Sequence, residues 1–146
     1  MSNTNEVTLE FDSKSQNEGF ARMVVAAFVS QLDPTMEEIA DIKTAISEAV
    51  TNAIIHGYDN LKGKILMKCR IEDNHLFVEV SDKGKGIENI KKAMEPLYTT
   101  RPEIERSGMG FAFMEAFMDE LEVESVLGEG TTIKMEKIIS NKKTQL

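Results

Sequence analysis

One cysteine is all this chain carries. Cys69 therefore has no internal disulfide partner and no second thiolate with which to build a metal site. Set in an alternating strand pattern, it reads as a small buried hydrophobe. No apolar run approaches about 18 residues, which excludes a transmembrane helix. The polar opening MSNTNEVT is no signal peptide, so the expected compartment is the cytosol, without membrane contact. Basic residues are in deficit: 17 Lys and Arg stand against 25 Asp and Glu, giving a net charge of −8 and a pI near 4.8. That balance carries no electrostatic footprint for nucleic acid or anionic lipid and argues against direct DNA binding. Only three prolines occur, and Pro96 and Pro102 both fall in residues 95–107, EPLYTTRPEIERS, which have no strong period. A stretch so long without regular structure reads as a functional loop or lid.

What is present is ordinary for a soluble globular chain, 41% hydrophobic and 29% charged. Residues 1–146 are expected to form a single domain that buries about two-thirds of its unfolded surface. The most strongly patterned segment is TMEEIADIKTAISEAVTNAIIHGY, Thr35 to Tyr58. Ile42, Ala45, Ile46, Ala49, Val50, Ala53 and Ile54 follow the i, i+3, i+4, i+7 spacing of one buried helical face. Thr35 with Glu38 reads as a capping box and Gly57 as the C-terminal stop. Glu48, Asn52 and His56, four apart, fall on the border of the apolar face, at the lip of the core.

Around this helix the periods predict a short first strand through Val7, Leu9 and Phe11 and a helix over 15–31. For that helix Phe20, Met23, Val24, Ala27 and Phe28 are the expected core face. Arg22, Val25, Ala26 and Val29 are then left opposite, either as a partner surface or as a face covered by another part of the fold. Strands are predicted at 64–71, 75–81, 121–126 and 131–138, with a short helix near 88–94 and another over 108–119. Alternation in Ile65, Met67, Cys69 and Ile71 against Lys68 and Arg70 leaves one sheet face packed and the other polar. The expected fold is a two-layer α/β sandwich, with a mixed, mostly antiparallel sheet of about five strands and helices on one face. The tail, 140–146, is expected to fray.

Four short elements carry candidate chemistry. Glu48-x-x-x-Asn52 sets a carboxylate one turn from a carboxamide, which suits holding Mg²⁺ and orienting a nucleophile, since Mg²⁺ takes hard oxygen ligands and keeps several waters. Asp82-x-Gly84-x-Gly86 follows a strand; an ionised carboxylate only accepts hydrogen bonds and so fits a purine's exocyclic amine. An ordinary turn accounts for the same residues. Arg106-Ser107-Gly108-Met109-Gly110 opens a helix, where N–H groups and the dipole favour an anion, although Ser107 also fits a simple N-cap. It matches neither the phosphate-loop nor the Rossmann pattern. Gly128-Glu129-Gly130-Thr131 joins the last two strands as a hairpin turn, which leaves only Thr131 needing a further reason.

In this order and spacing the four elements resemble the GHKL ATP-binding family, which includes gyrase B, MutL, a heat-shock chaperone and histidine kinases. The runs SEAVTNAIIHGY, PLYTTRPEIERSGMGF and MEAFMDELEVES followed by GEGTT are similar to the anti-sigma serine kinases of sporulation within it. The likeness runs from about Phe20 to Ile138. It implies a protein kinase that uses ATP and Mg²⁺, sequesters sigma factor F, phosphorylates a serine of an anti-anti-sigma partner and forms a homodimer. It further implies Glu48 as general base, Asn52 as Mg²⁺ ligand, Asp82 as adenine contact flanked by Gly84 and Gly86, and Thr131 near the base. Thr99 and Thr100 would belong to the lid, Arg106, Ser107, Gly108, Met109 and Gly110 would hold phosphates, and Arg22 would bind a partner. His56 is left as a helix-end histidine. A histidine-kinase catalytic domain and a nucleotide-gated binding protein without catalysis are the alternatives.

Overall fold

The structure is a computed structural model that describes residues 3–95 and 110–140. In chain order the elements are β1 (Thr4–Asp12), α1 (Gln16–Val29), α2 (Met36–Asn52), β2 (Lys64–Glu72), β3 (His75–Asp82), α3 (Ile90–Ala93), α4 (Gly110–Phe117), β4 (Glu120–Val126) and β5 (Gly130–Ile138). The five strands form one sheet in the order β1-β2-β3-β5-β4, and all four pairings are antiparallel. Alternation sets the layers: Ile65, Met67, Cys69 and Ile71 of β2, Leu76, Val78 and Val80 of β3, and Ile133 and Met135 of β5 are buried on one face. The helices cover that face, as the sequence pattern requires. Burial pushes the Cys69 thiol up to about 12, so it packs as an apolar group.

Helix α2 is the central helix, packed against α1 and against α4. Ile42, Ala45, Ile46, Ala49 and Val50 are fully buried, the stripe its spacing predicts. Each fully buried Ile or Val in it contributes roughly 1.5–3 kcal/mol. Its capping box forms: Thr35 Oγ1 accepts from Glu38 N–H at 3.1 Å, and Glu38 Oε1 accepts from Thr35 N–H at 2.8 Å. The second Glu38 oxygen accepts from Ser140 N–H at 2.8 Å, which fastens the chain after β5 to the start of α2. Burial alone would raise the Glu38 pKa, but the hydrogen bonds from Thr35 and Ser140 outweigh it and hold the carboxyl below its ordinary value.

Two sequence expectations are corrected here. In α1 the fully buried residues are Ala21, Val25 and Val29, whereas Phe20 and Met23 are 51% and 59% exposed and Ala27 is exposed too. Of the expected core face only Val24 and Phe28 pack partly against the core. The cause is steric: the smaller side chains let α1 approach α2 closely, and the bulky apolar ones are turned outward. The second correction concerns the end of α2. The run continues past Asn52 as a π-turn over Ala53–Gly57, closed by Tyr58 N–H on Ala53 C=O at 3.0 Å. This wider turn replaces the α-helical period after Asn52. Gly57 is not a left-handed stop, since among the described residues the glycines with positive φ are Gly86, Gly128 and Gly130.

Candidate functional site

Gly57 has a different task from ending a helix. A Cβ on it would lie 2.8 Å from Asp82 Cγ and 2.9 Å from each carboxylate oxygen. The π-turn therefore sets the backbone of the α2 run directly against the carboxyl at the end of β3. Gly84 presses on Gly57 from the other side, where any side chain at 84 would run into the Gly57 carbonyl. Lys85 N–H donates to that carbonyl at 2.9 Å. Two elements far apart in sequence thus meet without side chains between them, because glycine alone permits this approach.

Asp82 itself is buried. Its Oδ1 accepts from Gly84 N–H at 2.9 Å. Burial is the larger influence and raises its pKa, while the backbone donors of Gly84 and Thr131 pull the other way. Thr131 stands opposite Asp82 in the β3–β5 register and is buried beside it. Gly86 lies against the Val126 carbonyl at the turn between β4 and β5.

Ser125 and Tyr58, both unassigned from the sequence, tie the same loop to its neighbours. Ser125 Oγ accepts from Ile87 N–H at 2.7 Å and lies 2.8 Å from Thr131 Oγ1 and 3.1 Å from Gly130 C=O. That hydroxyl ties the loop after Asp82 to the hairpin that presents Thr131. Tyr58 Oη accepts from Lys83 N–H and donates to Lys64 C=O. A tyrosine directly after Gly57 was the sequence signal, and nothing in its spacing distinguishes it from a core aromatic.

Glu48 and Asn52 are half-buried on α2. Asn52 ends α2 and the π-turn that carries Gly57 follows it directly. Gly110 begins α4 on the other flank of α2. Thr99, Thr100, Arg106, Ser107, Gly108 and Met109, and the lid apart from Glu95, lie outside the described residues, as does the tail beyond Ser140. Among the described residues no group of three His, Cys, Asp or Glu is placed to hold a metal ion. Arg22 lies on α1: Nη1 is 3.3 Å from Glu18 Oε1 and 3.4 Å from Ser47 Oγ, and 40% of the side chain is exposed. The contact with Ser47 sets it at the border of the α1–α2 seam. Among the described residues no helix is long and apolar enough to cross a membrane.

Comparison with known proteins gives the family and the fold. Residues 11–137 match the histidine kinase-like ATPase domain family. A relative in Thermoanaerobacter sp. (strain X514), named anti-sigma F factor, is 64% identical over 143 residues, 98% of this chain and 100% of its own length. One of the same name in Clostridium acetobutylicum is 62% identical over 133 residues, 91% of this chain and 93% of its own. Among solved structures, the RsbU and RsbW domains of Rv1364c from Mycobacterium tuberculosis align with a TM-score of 0.66 at 23% identity. That alignment covers 92% of this chain and 32% of the other, and it shows a shared fold.

Proposed function

This chain belongs to the histidine kinase-like ATPase family and, within it, to the anti-sigma F factors, and from that membership we propose that it binds Mg-ATP, holds sigma factor F while ATP is bound, and phosphorylates a serine of an anti-anti-sigma partner. The observation that carries the reading is the buried Asp82 carboxyl seated on Gly57, which joins a base-reading loop to the helix of Glu48 and Asn52. Asp82 has two backbone donors, and the exocyclic amine of adenine supplies a further one to an acceptor that water reaches poorly. Gly84 and Gly86 pack on the backbone of Gly57 and Val126 and so fix the course of the loop after Asp82, and Thr131 lies beside the carboxyl.

The donor set suits Mg²⁺. Asn52 would hold Mg²⁺ through its amide oxygen, a hard ligand of the kind this ion takes. When bound, the ion neutralises phosphate charge. Glu48, one turn before Asn52, is the general base: the serine hydroxyl attacks the γ-phosphorus, its proton passes to Glu48, and the bond to the departing ADP oxygen breaks. Thr99 and Thr100 are proposed to belong to the ATP lid, and Arg106, Ser107, Gly108, Met109 and Gly110 to hold the phosphates. Arg22, part-exposed at the α1–α2 border, is the proposed partner-binding residue. The same reading makes the protein a cytoplasmic homodimer.

Incubation with Mg-ATP and the anti-anti-sigma partner tests this directly. Phosphoserine is expected, and Glu48→Ala is expected to abolish transfer while sparing nucleotide binding. An Ala variant that transfers at the unsubstituted rate refutes the base assignment. Acid-labile phosphate favours the histidine-kinase alternative, and ATP-dependent retention of the sigma factor without any transfer favours a non-catalytic switch.

A further inference from the structure

The loop after Asp82 is held by two consecutive residues at the end of the α2 run, one through its backbone and one through a phenol. Lys85 N–H reaches Gly57 C=O, and Lys83 N–H donates to Tyr58 Oη at 2.7 Å. The same hydroxyl donates to Lys64 C=O at 2.6 Å. A phenol has one O–H to give and lone pairs to receive, and here it does both.

The place of this hydroxyl in the sheet explains its effect. Strands β2 and β3 pair with Ile65 opposite Asp82, so Lys64 and Lys83 are the next residues to face each other. A further ladder bond would run from Lys83 N–H to Lys64 C=O. Tyr58 Oη stands between those two groups and relays the bond instead. The ladder stops at Asp82, and the chain beyond turns toward Gly57 rather than continuing along β2. Gly84, whose N–H fixes the Asp82 carboxyl, lies one residue past the inserted hydroxyl.

We propose that Tyr58 is a positioning residue for base selection: its hydroxyl, wedged between Lys64 and Lys83, holds the loop so that Asp82 is aimed to receive an exocyclic amine. This rests on the reading of Asp82 as the base contact. Phenylalanine fills the same space and supplies neither hydrogen bond, so the rung is free to close or fray and the carboxyl loses its fixed direction.

The test compares Tyr58→Phe with the unsubstituted full chain, measuring calorimetric affinities for Mg-ATP and for Mg-inosine triphosphate, which has an oxygen in place of the amine. The unsubstituted protein is expected to prefer ATP. Tyr58→Phe is expected to weaken ATP about three- to tenfold, the worth of about one net hydrogen bond, and to leave the inosine nucleotide unchanged. Loss of folded material alone lowers both equally, so a contracted ratio supports positioning. A ratio that stays at the unsubstituted value overturns the inference and leaves the Asp82 reading standing. An unsubstituted protein that binds both nucleotides alike overturns the Asp82 reading and the inference with it. Should the variant fail to fold, hydrogen exchange at the Lys83 amide of the unsubstituted protein decides: protection is expected, and exchange at the rate of an unstructured amide overturns the inference.

Discussion

Replacing Gly57 by alanine tests the contact on which the pocket is built. The added Cβ would stand 2.8 Å from Asp82 Cγ, about 0.6 Å inside the 3.4 Å where ordinary contact begins. Asp82 has little room to yield, because it is buried and held by the amides of Gly84 and Thr131. Overpacking of this kind costs about 1–3 kcal/mol. Alanine in a helical turn recovers about 1 kcal/mol relative to glycine. The net loss of stability is therefore roughly 0–2 kcal/mol, a fall in melting temperature of up to about 8 °C for a chain of this size. Nucleotide binding is expected to suffer more. A displaced carboxylate forfeits a hydrogen bond to a charged group, about 1.5–3 kcal/mol, or roughly 10- to 150-fold in affinity. Urea unfolding and calorimetry with Mg-ATP measure the two losses side by side. A variant that is destabilised yet binds Mg-ATP as tightly as the unsubstituted protein would refute the reasoning.

Further outcomes follow from the same geometry. Thr35→Ala, which removes the Oγ1 that caps α2, is expected to cost about 1 kcal/mol in chemical denaturation, and a loss near zero would contradict the capping role. The Glu38 pKa is depressed by folding, so the stability it adds is present above its ordinary value of 4.5 and fades as the pH falls through the folded value; Glu38→Gln should flatten that acid limb. Asp82 behaves in the opposite sense: its folded pKa is raised, so its charge destabilises the fold at neutral pH and the cost fades as the pH falls through that raised value. Unfolding curves of the unsubstituted protein and of Asp82→Asn, taken from neutral to acid pH, should show the former gaining stability relative to the latter, and a constant difference would contradict the burial argument.

The strands, the capping box and the buried stripe of α2 were legible because each is a local pattern: alternation, a Thr-x-x-Glu pair, and a 3.6-residue period all act within one element. The outward face of α1 was not. Both of its faces are apolar, and hydrophobicity ranks Phe20 and Met23 above Ala21 and Val25. Burial follows the distance between helix axes instead, a tertiary quantity that small side chains decide. Gly57 was legible as a glycine after a helix, but its reason, contact with a carboxyl 25 positions later, needs the sheet register. Ser125 and Tyr58 were missed on similar grounds. Each acts through one hydroxyl on backbone groups of a distant loop, and no sequence period marks such a contact. Asp82, Gly84 and Thr131 were singled out because their elements fall in one order and spacing, and the structure brings those three together at the end of β3.

The claim that Asp82, seated on Gly57 at the end of the α2 run, marks a nucleotide site meets its most direct test in calorimetric titration of Mg-ATP into the unsubstituted protein and into Asp82→Asn. One saturable site is predicted for the unsubstituted chain, with affinity lost by tenfold or more, about the worth of one charged hydrogen bond, in the variant. No heat with the unsubstituted protein, or equal affinity in the two, would contradict it.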